Sequence, residues 1–425
     1  MDSVVSRSVL KHQTLQSVPN STTSGARTLN GATCRTPSLS SRCSSFSARF
    51  PASLSNARQM GQQVLRGGER RISAVSSAEK EHPGPVADFD WANLSFGLTP
   101  TTSMFVGKCT LDGEWSGGLE PYGELSLSPA AAVLNYGQGV FEGMKAYRTD
   151  KDRVCIFRPD ENAARMQIGA TRMSMPPVPA DFFKNAINQV VAANAHWIPD
   201  QDVGQLYIRP LLIGTGPILG VAPAPEYTLV IYVSPVAAYF AGGQLTPIDL
   251  YCETGEAFRA CQGGTGGVKA VGNYSQMIQN GLKRKKEGYA DVIYLDSREG
   301  KYVEEVSTCN LFMVKGNTIS TPVAGETVLS GITRKSVIEL ARSKGYTVEE
   351  RPIAATELME ADEVFTTGTA VVIMPVGGVM LDGTKKEYHN GEVGPVAGEI
   401  YKSLTDIQLE KAEDPFGWVV EVPPQ

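Results

Sequence analysis

A chain of 425 residues, 42% of them hydrophobic, can bury more than one apolar core, which excludes wholesale disorder and suggests one large or two medium domains. The formal net charge of -6 gives no general attraction to nucleic acid or to an anionic membrane. No run approaches the roughly 18 to 20 apolar residues that span a bilayer. Seven cysteines (Cys34, Cys43, Cys109, Cys155, Cys252, Cys261, Cys309) stand singly, and His12, His82, His196 and His389 show no ligand spacing. Reduced thiols and chemistry without a metal are therefore expected.

The first 76 residues are rich in Ser, Thr and Arg and hold only two acids, Asp2 and Glu69. That is transit-peptide composition, and the lack of a compact apolar stretch argues against secretion. Length, serine density and the absence of an Arg-rich amphipathic start favour the plastid over the mitochondrion. From Asp88 onward the pattern mixes α and β. Phe183, Ile187, Val190 and Val191 recur at helical spacing, while Leu206 to Ile213 and Tyr227 to Val236 read as buried strands. Ala241-Gly242-Gly243-Gln244 then makes a break suited to a linker. Ala290 to Leu295 and Leu311 to Val314 read as strands, separated by the polar turn Ser297-Arg298-Glu299-Gly300. Ile332 to Lys344 reads as a helix stopped by Gly345. No internal repeat is visible.

The most specific stretch is Gly263-Gly264-Thr265-Gly266-Gly267-Val268-Lys269-Ala270-Val271-Gly272-Asn273-Tyr274. Four glycines before a lysine suggest a phosphate loop, but that loop needs Gly before the Lys and Ser or Thr after it. Here the neighbours are Val268 and Ala270. Five other strings stand in order along the chain. They are Asn135-Tyr136-Gly137-Gln138-Gly139-Val140-Phe141-Glu142-Gly143-Met144-Lys145-Ala146-Tyr147, Tyr207-Ile208-Arg209-Pro210, Glu305-Val306-Ser307-Thr308-Cys309-Asn310-Leu311-Phe312, Gly331-Ile332-Thr333-Arg334 and Thr367-Gly368-Thr369-Ala370. Together they resemble the blocks of the branched-chain aminotransferases, class IV pyridoxal-phosphate enzymes, over about residues 88 to 415.

The resemblance implies an α/β chain of the α+β type, with the two-domain D-amino-acid aminotransferase-like fold (fold type IV) and its cofactor between the domains. The expected division is a transit peptide over residues 1–76, a small domain over 77–240, a linker over 241–255 and a large cofactor-binding domain over 256–425. The implied cofactor is pyridoxal 5'-phosphate and the implied assembly a homodimer. The implied reaction is reversible, ping-pong amino transfer between L-leucine, L-isoleucine or L-valine and 2-oxoglutarate.

By the same resemblance Lys269 condenses with the cofactor aldehyde and, once displaced by the substrate amine, is free to move a proton. Glu305 keeps the pyridine nitrogen protonated, and Tyr274 meets the phenolic oxygen. If the segment is extended, Glu304 points to the opposite face. The phosphate falls to the amides of Ile332 and Thr333 at a helix start, to the Thr369 hydroxyl and to Arg165. The α-carboxylate falls to the amides of Thr369 and Ala370, assisted by Tyr136. Phe141, Tyr207 and Tyr239 line the side-chain pocket, and Arg209 serves the glutamate γ-carboxylate, because apolar walls cannot pair a buried charge. One departure from the family is that Val371 and Met374 stand where some members carry a CxxC pair. The rivals are sister enzymes of the same fold (a methionine-chain-elongation or D-amino-acid aminotransferase, an aminodeoxychorismate lyase) and a non-catalytic pyridoxal-phosphate-binding protein. The Phe-Glu-Gly-Met-Lys-Ala and Tyr-Ile-Arg-Pro strings argue against the D-amino-acid and lyase rivals.

Overall fold

The computed structural model describes residues 82–240, 244–255 and 257–424. The basic leader and Ala241, Gly242 and Gly243 of the expected linker lie outside the described residues. The described residues belong to one compact unit that contains two β-sheets.

The first sheet carries β1 (Ser103–Thr110), β2 (Ser116–Pro121), β3 (Gly139–Phe141), β4 (Met144–Arg148), β5 (Val154–Phe157), β6 (Gly204–Gly214) and β7 (Glu226–Ala237). The second carries β8 (Ile248–Glu253), β9 (Asp291–Leu295), β10 (Val303–Val306), β11 (Asn310–Lys315), β12 (Thr318–Thr321), β13 (Thr347–Glu350), β14 (Glu363–Gly368), β15 (Val372–Leu381) and β16 (Thr384–Glu387). A last strand, β17 (Val419–Glu421), returns to the first sheet beside β5. Helices α1 (Ala132–Tyr136), α2 (Pro159–Arg172) and α3 (Ala180–Ala193) accompany the first sheet. α4 (Gly272–Ser275), α5 (Ile278–Lys286), α6 (Ile332–Ser343) and α7 (Pro395–Gln408) follow. The first sheet is antiparallel throughout, whereas β8 pairs in parallel with both β9 and β15 in the second.

Side-chain alternation decides which residues of β6 face the core and which remain for chemistry. Leu206, Ile208 and Leu212 are buried in the core with Phe183, Ile187, Val190 and Val191 of α3. Those four α3 side chains have 0% exposure, and each contributes about 1.5–3 kcal/mol by leaving water. Tyr207 and Arg209, the intervening residues, fall on the other face. α6 ends as expected: Gly345 has φ +87°, Gly345 N donates to the Arg342 carbonyl and Tyr346 N to the Ala341 carbonyl, the paired closure of a glycine-terminated helix.

Three expectations need correction. The linker assigned to 241–255 contains β8, an interior strand of the second sheet. β10 intervenes between the two strands read around the Ser297–Gly300 turn. Its register shifts between Val303 and Glu305, so the simple alternation that sends Glu304 away from Glu305 fails. Both carboxylates are buried, at 6% and 2% exposure, and both feel the Arg259 charge.

Candidate active site

Lys269 is placed by backbone pairing with β3. Phe141 N donates to the Lys269 carbonyl at 3.1 Å, Val271 N donates to the Gly139 carbonyl at 3.1 Å, and Val140 and Ala270 form an antiparallel bridge. The amine of Lys269 then lies 4.6 Å from the Phe141 ring centre and 3.1 Å from Tyr274 Oη. The glycine run before it serves packing rather than phosphate. A Cβ on Gly267 would stand 1.9 Å from the Gly325 carbonyl oxygen, so only glycine lets this loop lie against the 325–327 segment.

Burial, then the Arg165 charge, pull the Lys269 amine down to about 8, which favours the neutral, nucleophilic form. Burial pushes the Glu305 carboxyl up to about 7, and Arg259 opposes that shift from 3.1 Å. Glu305 also accepts a hydrogen bond from the Leu329 amide. Burial raises Tyr274 to about 12, leaving a neutral phenol able to donate.

At the start of α6, Gly331 offers no side-chain cap, so the first amides, those of Ile332 and Thr333, remain for an anion. Gly331 is required there, since a Cβ would lie 2.0 Å from Asn310 Oδ1. Arg165 on α2 reaches the adjacent Ser330 carbonyl at 3.2 Å. Glu142, 1% exposed, holds Arg165 through two bonds of 2.7 Å and is itself held by Asn162 at 2.7 Å. Three guanidinium N–H groups are thus engaged, and the remaining ones are available to a ligand.

A cavity of about 500 Å³ opens beside Lys269. Phe141, Tyr207, Arg209, Tyr239, Lys269, Tyr274, Thr369 and Ala370 are among the residues that line it. A small cleft lined by Ile332 and Thr333 shares Gly143 and Thr369 with this cavity. Arg209 lies 5.0 Å from the Phe141 ring centre and 5.2 Å from that of Tyr207, and donates to Tyr207 Oη at 3.3 Å. Its Nε is buried without a partner, and among the described residues it makes no ion pair. Tyr136 is not brought to this cavity: it is 41% exposed on α1, and its hydroxyl donates to the Leu219 carbonyl. The Thr369 hydroxyl donates to the Gly143 carbonyl at 3.2 Å.

Sequence reading missed Arg259, the partner of Glu305, and Phe96, which packs edge-on to Tyr207 and lines the cavity. It also missed Glu142 as the holder of Arg165, although Glu142 lay inside a quoted string. Cys309 and Met374 line the cavity too.

These groups fit pyridoxal 5'-phosphate. The test is the donor set: a buried amine of depressed basicity, a buried carboxyl with its own arginine, and an uncapped helix start beside a guanidinium with free N–H groups. They match an aldehyde, a ring nitrogen and a phosphate respectively.

Residues 139–379 match the family model described as amino-transferase class IV. The chain is 51% identical over 354 residues to branched-chain-amino-acid aminotransferase 5, chloroplastic, of Arabidopsis thaliana, covering 83% of this chain and 85% of that one. It is 43% identical to a methionine aminotransferase of the same plant, over 79% of this chain and 94% of that one. Among solved structures, the T.th. branched-chain amino acid aminotransferase with pyridoxamine 5'-phosphate superposes with a TM-score of 0.66 at 28% identity, covering 77% of this chain and 100% of that one. A buried lysine amine beside a cavity that the two sheets share, found in a chain this similar, places the protein in the branched-chain aminotransferase family of pyridoxal-phosphate-dependent class IV aminotransferases.

Proposed function

We propose that this enzyme exchanges amino groups between L-leucine, L-isoleucine or L-valine and 2-oxoglutarate in the chloroplast. The observation that carries the substrate reading is a single cavity with aromatic walls and one guanidinium, Arg209, that no carboxylate among the described residues pairs. Aromatic walls suit a branched aliphatic side chain. The guanidinium suits the γ-carboxylate of glutamate, which such walls alone would leave uncompensated.

The bound cofactor supplies an electron sink for the pair released when the substrate Cα–H bond breaks. Lys269 Nζ takes that proton and returns it, a role suited to an amine brought to about 8. Glu305, with Arg259 behind it, would face the ring nitrogen; the Tyr274 hydroxyl would face the phenolic oxygen. The amides of Ile332 and Thr333, the Thr369 hydroxyl and Arg165 would hold the phosphate. The amides of Thr369 and Ala370 receive the α-carboxylate, with Phe141, Tyr207 and Tyr239 around the side chain.

In this reading the first sheet with α1 to α3 forms the small domain, and the second sheet, β8 included, forms the large one. Two copies assemble as a homodimer, covering the exposed Leu134, Tyr136, Leu219 and Val221, with Tyr136 completing the α-carboxylate site. The basic leader directs import, as its composition and the chloroplastic relative support.

A panel of amino donors and 2-oxo acids with the purified mature enzyme tests the substrate claim. Leucine, isoleucine and valine with 2-oxoglutarate should dominate. Preference for methionine or a D-amino acid would overturn it. Light scattering checks the dimer, and a reporter fused to residues 1–76 checks import.

A further inference from the structure

The turn Thr369-Ala370-Val371 joins β14 to β15 and leads into Val372 at φ +60°, a left-handed conformation that a β-branched residue adopts only under constraint. Two cavities reach this turn: the active-site cavity and a second one of about 820 Å³ are both lined by Ala370 and Val371. Polar ties from the first sheet hold it. Lys145 of β4 donates from Nζ to the Ala370 carbonyl at 2.8 Å, and the Thr369 hydroxyl donates to the carbonyl of Gly143, just before β4.

Lys145 is a costly residue for a simple tie. It is 5% exposed and makes no ion pair among the described residues, and burial alone brings its amine down to about 7. An apolar side chain of similar length would fill the place without that desolvation. In the β4–β6 register Lys145 stands directly opposite Tyr207, whose ring lines the active-site cavity. Its amine thus ties the strand paired with that of Tyr207 to the turn.

We propose that Lys145 is a positioning residue for the substrate α-carboxylate: by holding the Ala370 carbonyl it anchors the peptide plane that follows those carrying the Thr369 and Ala370 amides, and so limits how the turn that presents them can rotate. This rests on the reading above that those amides receive the carboxylate. Fixing the Ala370 carbonyl fixes rotation on one side of Ala370, and the Thr369 tie fixes the residue before it. The turn's amides are then aimed before substrate arrives, which removes an ordering cost from binding.

Two competitive inhibitors of the holoenzyme separate this from a structural role: 4-methylpentanoate, which keeps the carboxylate, and 4-methylpentanamide, which keeps the shape without the charge. Wild type should favour the acid. Lys145→Met should weaken the acid by roughly tenfold or more and leave the amide within about twofold. Lys145→Arg, which keeps a long N–H donor, should restore most of the acid affinity. Should the Met variant fail to fold, Lys145→Gln runs the same comparison, with a loss confined to the acid. Parallel loss of acid and amide, or a wild-type acid-to-amide ratio in the Met or Gln variant, would overturn the proposal. If wild type itself shows no preference for the acid, the carboxylate reading fails first and this inference with it.

Discussion

The two ends of the active-site cavity satisfy their charges in opposite ways. At the end assigned to the cofactor, Arg259 is paired with Glu305 at 3.1 Å and Arg165 with Glu142 at 2.7 Å, all well buried. At the substrate end, Arg209 rests between two aromatic rings with a buried Nε that nothing meets. At the first end the cations are paired before any ligand arrives, so they hold fixed positions; at the second the cation is paired only by the ligand. Substitutions at the first end should therefore damage every substrate alike, whereas those at the second should separate one half-reaction from the other.

The largest effect is expected at Lys269, the one amine at the junction of the two ends. Lys269→Ala should lower steady-state transamination by on the order of 10³-fold or more and remove the absorbance of lysine-bound cofactor. Normal turnover in that variant would take the proton-transfer role away from Lys269. Next comes Glu142→Gln, which leaves the buried Arg165 charge without its partner. Breaking such a pair costs about 3–5 kcal/mol. That loss should appear as a lower denaturant midpoint of the cofactor-free protein and weaker cofactor binding, with leucine and glutamate turnover falling together. A selective loss of one substrate would contradict the division drawn above.

Arg209→Ala should act on one half-reaction only. An unpaired γ-carboxylate costs roughly 2 to 5 kcal/mol, so the glutamate half-reaction should lose on the order of 30-fold or more in kcat/KM. Leucine, with only an apolar side chain there, should lose much less. Single-turnover absorbance measurements of each half-reaction decide the matter. Equal losses, with a lower Tm, would mean that Arg209 holds the fold rather than glutamate.

How much of this was legible in the chain follows from the range of the interactions. Tyr207 and Arg209 were placed by a matching string, and strand alternation agrees: with Leu206 and Ile208 turned inward, their neighbours line the cavity. Gly345 could be read as a helix stop because that signal is local. Arg259 could not, because its value depends on Glu305 and the Thr327 carbonyl, which tertiary folding brings to it. Glu304 was misread because a register shift in β10 breaks the alternation, and a bulge leaves no plain composition signal. β8 was absorbed into the linker because a glycine-rich break precedes it, while its parallel partners β9 and β15 lie far along the chain. Tyr136 lies at the surface of α1, away from the cavity of its own copy, because a role completed by a second copy depends on assembly rather than on local sequence.

The smallest effect sharpens the electrostatic side of the comparison. The Lys269 amine is drawn down to about 8, first by burial and then by Arg165. Only its neutral form can attack the cofactor aldehyde. Below pH 8 the protonated form dominates, so the rate at which cofactor-free enzyme captures pyridoxal 5'-phosphate should rise roughly tenfold per pH unit and level off above about 8. The sign can be tested through the neighbour: Arg165→Gln removes a nearby positive charge that disfavours the ammonium, so the rise should move to higher pH. Removing Arg165 also deletes a phosphate contact and should lower the capture rate at every pH, which scales the curve without moving its midpoint. Stopped-flow absorbance across pH 6 to 10 reads both quantities separately. A midpoint that stays fixed or moves downward in Arg165→Gln would show that the Arg165 charge does not lower the basicity of Lys269, and that the arginine serves the cofactor end only as a phosphate ligand.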